Sequence, residues 1–131
     1  MIKITNMKII KFILCLLFGL MFLNAGLDKF LHYNPAPKLT EAQIKLYTAF
    51  GEIGWLLPLV GVVEIIGGLL FIFPKTRALG AIVILPVMVG IVLHNTYRDP
   101  SSTGIAISLV LFLINIWIIA DNSKKYKALV S

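Results

Sequence analysis

Long runs of apolar residues separated by short charged segments dominate this chain. Three uncharged runs contain 16, 20 and 21 residues, and a run of 22 residues (53–74) contains a single charge, Glu64. About 20 residues of α-helix cross the hydrocarbon core of a bilayer. No run alternates with a period of two, and an open sheet leaves backbone groups unsatisfied in lipid. The pattern therefore predicts an all-α integral membrane four-helix bundle. The predicted spans lie near 9–31, 53–73, 78–96 and 104–121.

The polar segment between the first two spans predicts a short additional helix. Thr40 and Gln43 have the spacing of a capping box, and Leu46, Phe50 and Ile53 follow at i, i+4 and i+7. This arrangement favours an amphipathic helix on the membrane surface that continues into the second span. Because no internal repeat divides the chain, we expect a single membrane domain over 1–131.

The composition excludes several classes of protein. Apolar residues make up 59% of the chain and charged residues 14%, against about 45–50% and 25% in soluble domains. The mean hydropathy is +0.94. Disorder, collagen, a disulfide scaffold and an ordinary cytosolic enzyme do not fit these values. Cys15 is the only cysteine, so an intrachain disulfide and a cysteine metal cluster are excluded.

The net charge of +6 indicates membrane anchoring rather than nucleic-acid binding, because the basic residues lie between apolar runs. Eight Lys/Arg fall on the side of the N-terminus and four on the other side. This bias predicts that both termini are cytoplasmic. A cleaved signal peptide is an alternative for the first run, but Leu23-Asn24-Ala25 suits a signal peptidase poorly.

Glu64 is the most informative residue, because it lies near the middle of the second span. An ionised carboxylate at that depth costs about 2.5–3.5 kcal/mol on insertion scales. Gly54, Gly61 and Gly68 recur every seven residues beside it, and such a stripe lets a second helix approach closely. Glu64 is therefore either a proton-carrying, ligand-orienting or redox-tuning group, or a neutral acid bonded to another helix.

Other polar residues also share helix faces. Asp28 and Asn24 lie on one face of the first span with His32, and Gly90 and His94 lie on one face of the third with Pro86. In the fourth span, Asn115 follows Ser108 by seven residues and precedes Asn122 by seven. A rise of about 1.5 Å per residue predicts similar depths for Glu64 and Asn115. Together these residues predict a polar funnel that opens outward, with Glu64 and Asn115 at its base.

Each of these residues has a simpler interpretation. Asn24 and Asn115 can serve as interhelical hydrogen-bond donors, worth about 0.6 kcal/mol each. The histidines suit the membrane interface, and no third or fourth ligand accompanies them for a metal or haem. We expect Lys29 either to reach the interface with its ammonium group or to pair with Asp28 or Glu52. Pro58 and Pro86 can kink their helices.

The pattern as a whole resembles the DoxX family of small bacterial four-helix membrane proteins. The residues that carry this resemblance are Gly26-Leu27-Asp28-Lys29-Phe30, Pro58, Glu64-Ile65-Ile66-Gly67-Gly68, Pro86 and His94. The resemblance extends over about 12–122. It implies a multi-pass protein of the bacterial cytoplasmic membrane, and some members of that family are subunits of a thiosulfate–quinone oxidoreductase. Asp28 stands where many members have Asn.

Three functions are compatible with the sequence, which contains no catalytic motif. The first is a small membrane subunit for quinone-linked redox chemistry, with a redox protein as partner. Glu64, Asn115 and His94 would then bind the quinone. The second is a proton-coupled transporter with Glu64 as the switching carboxylate. The third is a scaffold whose glycine stripes bind partner proteins or a second copy of the chain. We expect an oxidoreductase subunit rather than a stand-alone enzyme.

Overall fold

Every regular element that the computed structural model describes, over residues 2–33 and 38–130, is helical. This confirms the predicted all-α class. The elements are α1 (Ile2–Leu31), α2 (Glu41–Glu52), α3 (Leu56–Ile72), α4 (Arg77–Leu93), a π-helical turn (His94–Arg98), α5 (Ser102–Asp121) and α6 (Ser123–Lys127).

Within the described residues, three helical segments are long and apolar enough to cross a bilayer by themselves. They are Asn6–Leu31, Arg77–Arg98 and Ser102–Asp121. The remaining predicted span, near 53–73, corresponds to α3, which meets the same length and hydropathy limits only together with α2, and α2 is bent from α3 by 87°. The helices are therefore compatible with the four-helix membrane bundle that the sequence predicts.

The junction between α2 and α3 explains where the second span begins. The prediction started this span at residue 53, whereas α3 starts at Leu56. Gly54 has φ +82°, a left-handed conformation that glycine adopts without steric cost, so the helix stops there and the chain turns. The start of α2 agrees with the prediction. The Thr40 hydroxyl accepts from the Gln43 N–H and the Gln43 side chain accepts from the Thr40 N–H, which completes the capping box.

Glycines determine how closely α1 and α3 pack. A methyl group added at Gly68 would lie 2.7 Å from the Gly19 carbonyl oxygen, and one added at Gly26 would lie 2.6 Å from the Gly61 carbonyl oxygen. From the first contact to the second, the residue number rises on α1 and falls on α3, so the two helices are antiparallel. Gly80 makes an equally close approach on α4, where an added methyl group would lie 2.6 Å from the Phe71 nitrogen of α3.

The core lies where α1, α3, α4 and α5 meet. Phe18 of α1 stacks on Phe71 of α3 with ring centroids 4.2 Å apart, and Phe22 lies 4.8 Å from Phe18 by the same measure. The remaining buried members of this cluster are Cys15, Ala81, Ile84, Met88 and Ile118. Aromatic, aliphatic and sulfur-containing side chains thus fill the centre of the bundle.

Polar contacts close the end of the bundle where α3 turns into α4. The buried Arg77 side chain donates from Nε to the Phe71 carbonyl and from Nη2 to the Ile72 carbonyl, both at 3.0 Å. These carbonyls lie in the last turn of α3 and have no partner within their own helix. Lys11 of α1 pairs with Asp121 of α5 at the same end, so the first and last long helices are joined.

Candidate functional site

Glu64 lies between Gly61 and Gly68 on the face of α3 that packs against α1. The glycines on both sides of it let α1 approach closely. The carboxyl is therefore enclosed, and the residue is 3% exposed. Its partner is Lys29, whose Nζ lies 2.5 Å from Glu64 Oε1. Apart from this ion pair, Oε1 accepts no hydrogen bond from the described residues. Among the described residues, Oε1 therefore depends on Lys29 alone.

The direction of the two side chains explains how this pair forms. The glycine contacts place Lys29 level with Pro58, six residues from Glu64, which is about 9 Å along the helix. A helical Cα–Cβ bond is tilted toward the N-terminus of its helix. In antiparallel helices, Lys29 therefore points deeper into the bundle while Glu64 points back toward it. The predicted partners of Lys29, which were Asp28, Glu52 or the interface, did not include Glu64, because the prediction left out these side-chain directions.

A cavity of about 580 Å³ adjoins the ion pair, and Lys29 contributes to its wall whereas Glu64 does not. The volume falls within the range of about 300–1,000 Å³ that is usual for small-molecule sites. Most of the wall is aliphatic and comes from α3 and α4. The lining side chains from these helices include Leu56, Val60, Val63, Val83, Val87 and Ile91.

The polar part of the cavity wall is rich in hydrogen-bond donors. Lys29, Tyr47, His94 and Asn95 contribute to it, and no carboxylate does. The Asn95 amide is already engaged, since Nδ2 donates to the Ile91 carbonyl at 2.8 Å. The Lys29 ammonium has donors beyond its contact with Glu64, and the Tyr47 hydroxyl and the His94 ring, which lie 3.4 Å apart, share a further one. This set suits a molecule that is largely apolar and carries hydrogen-bond acceptors, and it does not suit a cation.

Helix α2 supplies two side chains that cover one end of the cavity. The Tyr47 hydroxyl lies 3.4 Å from His94 Nε2, and the ring centroids of Tyr47 and Phe50 both lie about 6 Å from the His94 ring. Phe50 lies on the apolar stripe that the sequence predicts for α2, but no sequence pattern connects Phe50 or Tyr47 with His94. The sequence does indicate that Tyr47 and Phe50 share a face of α2. It does not indicate that the bend at Gly54 turns this face toward α4.

The predicted polar funnel does not form, because its members face different helices. Asn115 is fully buried and donates from Nδ2 to the Ala81 carbonyl of α4 at 3.2 Å. The neighbouring Gly80 packs on Phe71, which is seven residues, or about 10 Å, from Glu64 along α3. The predicted common depth of Glu64 and Asn115 was wrong. It was measured from the predicted ends of two spans, and these ends do not lie at the same level because each helix is shifted along its neighbour.

The polar residues of α1 are also separated from one another. Asn24 is exposed, and its side-chain oxygen accepts a hydrogen bond of 2.5 Å from the Tyr33 hydroxyl. Asp28 is half-buried one turn further along. Lys29, the next residue, reaches the cavity. Of the six proposed site residues, Lys29 and His94 thus line the cavity, and Glu64 is paired with Lys29.

Two of the four glycines that were assigned to helix packing have other positions. Gly61 and Gly68 lie against α1. A methyl group added at Gly54 or Gly90 would meet nothing within 4 Å, so neither residue packs against another helix. Gly54 forms the bend before α3, and Gly90 lines the cavity. The seven-residue spacing placed Gly54 on the stripe, but its left-handed φ ends the helix before the stripe reaches it.

Comparison with known proteins identifies a family. A model of the family described as methylamine utilisation protein MauE matches residues 7–127. The resemblance to DoxX is corrected by this match. Its motifs consist of small and polar residues in apolar helices, and helix packing in a membrane favours such residues in unrelated bundles. No curated protein and no solved structure matches the chain.

Proposed function

Because the chain belongs to the MauE family, we propose that this multi-pass membrane protein is a subunit of a quinone-linked redox system. The cavity beside Lys29 is the quinone site, and a redox protein is the partner. The proposal places the protein in the bacterial cytoplasmic membrane with both termini in the cytoplasm, in line with the distribution of Lys and Arg.

One observation carries this proposal: the polar groups of an apolar cavity include several donors, and Lys29 is its only charged lining residue in the part of the chain that the structure describes. A quinone has a hydrophobic body and two carbonyl oxygens that accept hydrogen bonds. The aliphatic wall fits the body, and Lys29 and the Tyr47–His94 pair are the donors for the carbonyls. The residues present thus match the chemistry of the ligand.

The ion pair gives Lys29 a defined role. Glu64 holds the ammonium group at the cavity wall and offsets its charge within the membrane. A quinone accepts two electrons and two protons when it is reduced. A fixed ammonium stabilises the negative charge that develops on a carbonyl oxygen, and a preorganised donor does so without reorganisation. Redox chemistry belongs to the cofactor and the partner, while this chain binds and orients.

The family description supports a redox context. Growth on methylamine requires oxidation of its carbon, and the electrons released need an acceptor. A quinone in the membrane is such an acceptor. The transporter hypothesis is less well supported, because it needs a switching carboxylate in the path of the substrate. Glu64 lies behind Lys29 and does not line the cavity.

The test is a titration of the purified protein, in lipid nanodiscs, with a short-chain ubiquinone. We expect saturable binding by the wild type. Lys29→Gln should bind about tenfold more weakly, since it loses a charge-assisted hydrogen bond. Glu64→Gln should also bind more weakly because Lys29 loses its anchor. Lys75→Gln is the matched control, because Lys75 is exposed in the turn between α3 and α4. Equal binding by all four proteins, or none by the wild type, would contradict the proposal.

A further inference from the structure

Helix α2 is held to the rest of the protein by few contacts. None of its residues is buried, although Tyr47 and Phe50 line the cavity beside Lys29. A second cavity of about 270 Å³ lies between α2 and the π-helical turn and is lined by Gln43, Arg98 and Asp99 among others. Burial of apolar surface stabilises packed helices, so α2 is stabilised less than the membrane spans are.

The chain can turn at the start of α3 without disturbing a packed contact. Gly54 has φ +82° and no neighbouring atom within 4 Å of an added methyl group. Trp55, the next residue, is exposed and forms no side-chain cap on α3. A glycine in open space between two helices can absorb the change in backbone angles that rigid movement of one helix requires.

Two polar contacts connect α2 with the end of α4 and the π-helical turn. The Gln43 amide donates to Asp99 Oδ2 at 2.9 Å, and the Tyr47 hydroxyl lies 3.4 Å from His94 Nε2. Both partners on the far side belong to, or directly follow, the π-helical turn. Gln43 and Asp99 both line the small cavity, and Tyr47 and His94 both line the cavity beside Lys29, so these contacts hold α2 where no residue of α2 is buried.

We propose that α2 is a hinged lid on the aqueous end of the cavity beside Lys29, with Gly54 as the hinge and the Gln43–Asp99 and Tyr47–His94 contacts as its latches. The role of this lid in function rests on the proposed quinone site. The quinone comes from the lipid between the helices, and opening of α2 exposes its polar end to the aqueous redox partner. The lid itself is a property of the fold and can be tested without quinone.

The hydrogen bond between Gln43 and Asp99 can be broken by one substitution and restored by a second. Gln43→Glu keeps a side-chain oxygen for the capping box but places a second negative charge against Asp99. Adding Asp99→Asn supplies an amide donor and restores the hydrogen bond with the roles of the two residues exchanged. A Val63→Cys reporter on the cavity wall, in a Cys15→Ala background, reports access through its rate of labelling by a charged maleimide. Cys15 in the unsubstituted background, buried in the core and absent from the cavity wall, is the control reporter.

Gln43→Glu should raise the labelling rate at Val63→Cys by about tenfold, as expected for loss of a hydrogen bond to a charged group. The added Asp99→Asn should return the rate to its original value. Unchanged labelling in Gln43→Glu would overturn the lid, and so would an equal rise at Cys15, which would indicate general loosening of the bundle. If the labelling pattern holds while the wild type fails to bind ubiquinone, the proposed function fails and the lid stands.

Discussion

The Lys29 ammonium group and the Glu64 carboxylate lie 2.5 Å apart within the helical bundle, between the antiparallel helices α1 and α3. The side chain of Glu64 is 4% exposed and that of Lys29 is 27% exposed. The pair is therefore asymmetric. Lys29 has a route toward the cavity and the interface, whereas Glu64 is enclosed by the glycine-rich contact between the helices.

This asymmetry predicts unequal effects when either partner is removed. Lys29→Met should lower the free energy of unfolding by about 3 kcal/mol, because it leaves a buried carboxylate unpaired. Glu64→Leu should cost about 1 kcal/mol, since Lys29 can extend toward water. The double variant should be more stable than Lys29→Met alone. Unfolding in detergent, followed by circular dichroism, measures all three. Equal losses in the two single variants would contradict the asymmetry.

The contact between α1 and α3 gives a second prediction. Gly68→Ala should destabilise the protein by about 1–3 kcal/mol, because the new methyl group would lie 2.7 Å from the Gly19 carbonyl oxygen and 2.9 Å from the Leu23 nitrogen. Both atoms belong to the backbone, so only movement of a whole helix relieves the overlap. Thermal unfolding in detergent measures the loss.

Gly90→Ala is the matched control for Gly68→Ala. Its methyl group meets nothing within 4 Å, and alanine favours helix over glycine by up to about 1 kcal/mol. Its stability should equal or exceed that of the wild type. A loss at Gly90 as large as that at Gly68 would show that backbone flexibility, and not close approach of the helices, determines the effect.

The spans and the surface helix could be predicted from the sequence because each depends on local chemistry. Charges mark the ends of the apolar runs, and Thr40 and Gln43 satisfy the first turn of α2 wherever that helix lies. The cavity could not be predicted in this way. It depends on which helix lies beside which, on the shift between α4 and α5 that separates Asn115 from Glu64, and on the bend that directs Tyr47 toward His94. None of these is encoded within a single segment.

The bend itself can be tested at Gly54. Gly54→Ala should destabilise the protein by about 1–2 kcal/mol, because a side chain is disfavoured in the left-handed conformation. Gly51→Ala is the control, three residues earlier and helical, where an added methyl group also meets nothing within 4 Å. That variant should be at least as stable as the wild type. Thermal unfolding of the two variants side by side separates backbone strain from side-chain packing.

Tyr126 gives a prediction about pH. Its hydroxyl donates to the Ala78 carbonyl at 2.6 Å, and burial raises the pKa of Tyr126 above its ordinary value near 10. A pKa raised in the folded state means that the contribution of Tyr126 to stability is complete below pH 10. It is lost as the pH rises through the raised pKa. The wild type should therefore unfold at a higher temperature than Tyr126→Phe at pH 8, and this difference should shrink above pH 10.

Tyr97→Phe is the control for the pH series, because Tyr97 is 85% exposed. It should unfold at the wild-type temperature at pH 8. Lysine deprotonation at high pH affects all three proteins alike, so the informative quantity is the difference between the wild type and Tyr126→Phe. A difference that persists undiminished to the highest pH would mean that packing of the ring, and not the hydroxyl proton, stabilises the contact between α6 and α4.

Asn115 distinguishes a packing residue from a member of the site. Its Nδ2 donates to the Ala81 carbonyl at 3.2 Å, while its Oδ1 has no hydrogen-bond partner among the described residues. Asn115→Leu loses one interhelical hydrogen bond, worth about 0.6 kcal/mol, and also removes an unsatisfied buried oxygen. The stability should therefore change by less than about 1 kcal/mol. Since Asn115 lies about 10 Å from Glu64 along the bundle axis, quinone binding should match that of the wild type. A loss of several kcal/mol would reveal a partner for Oδ1, such as a buried water. Weaker quinone binding at unchanged stability would instead show that Asn115 contributes to the quinone site.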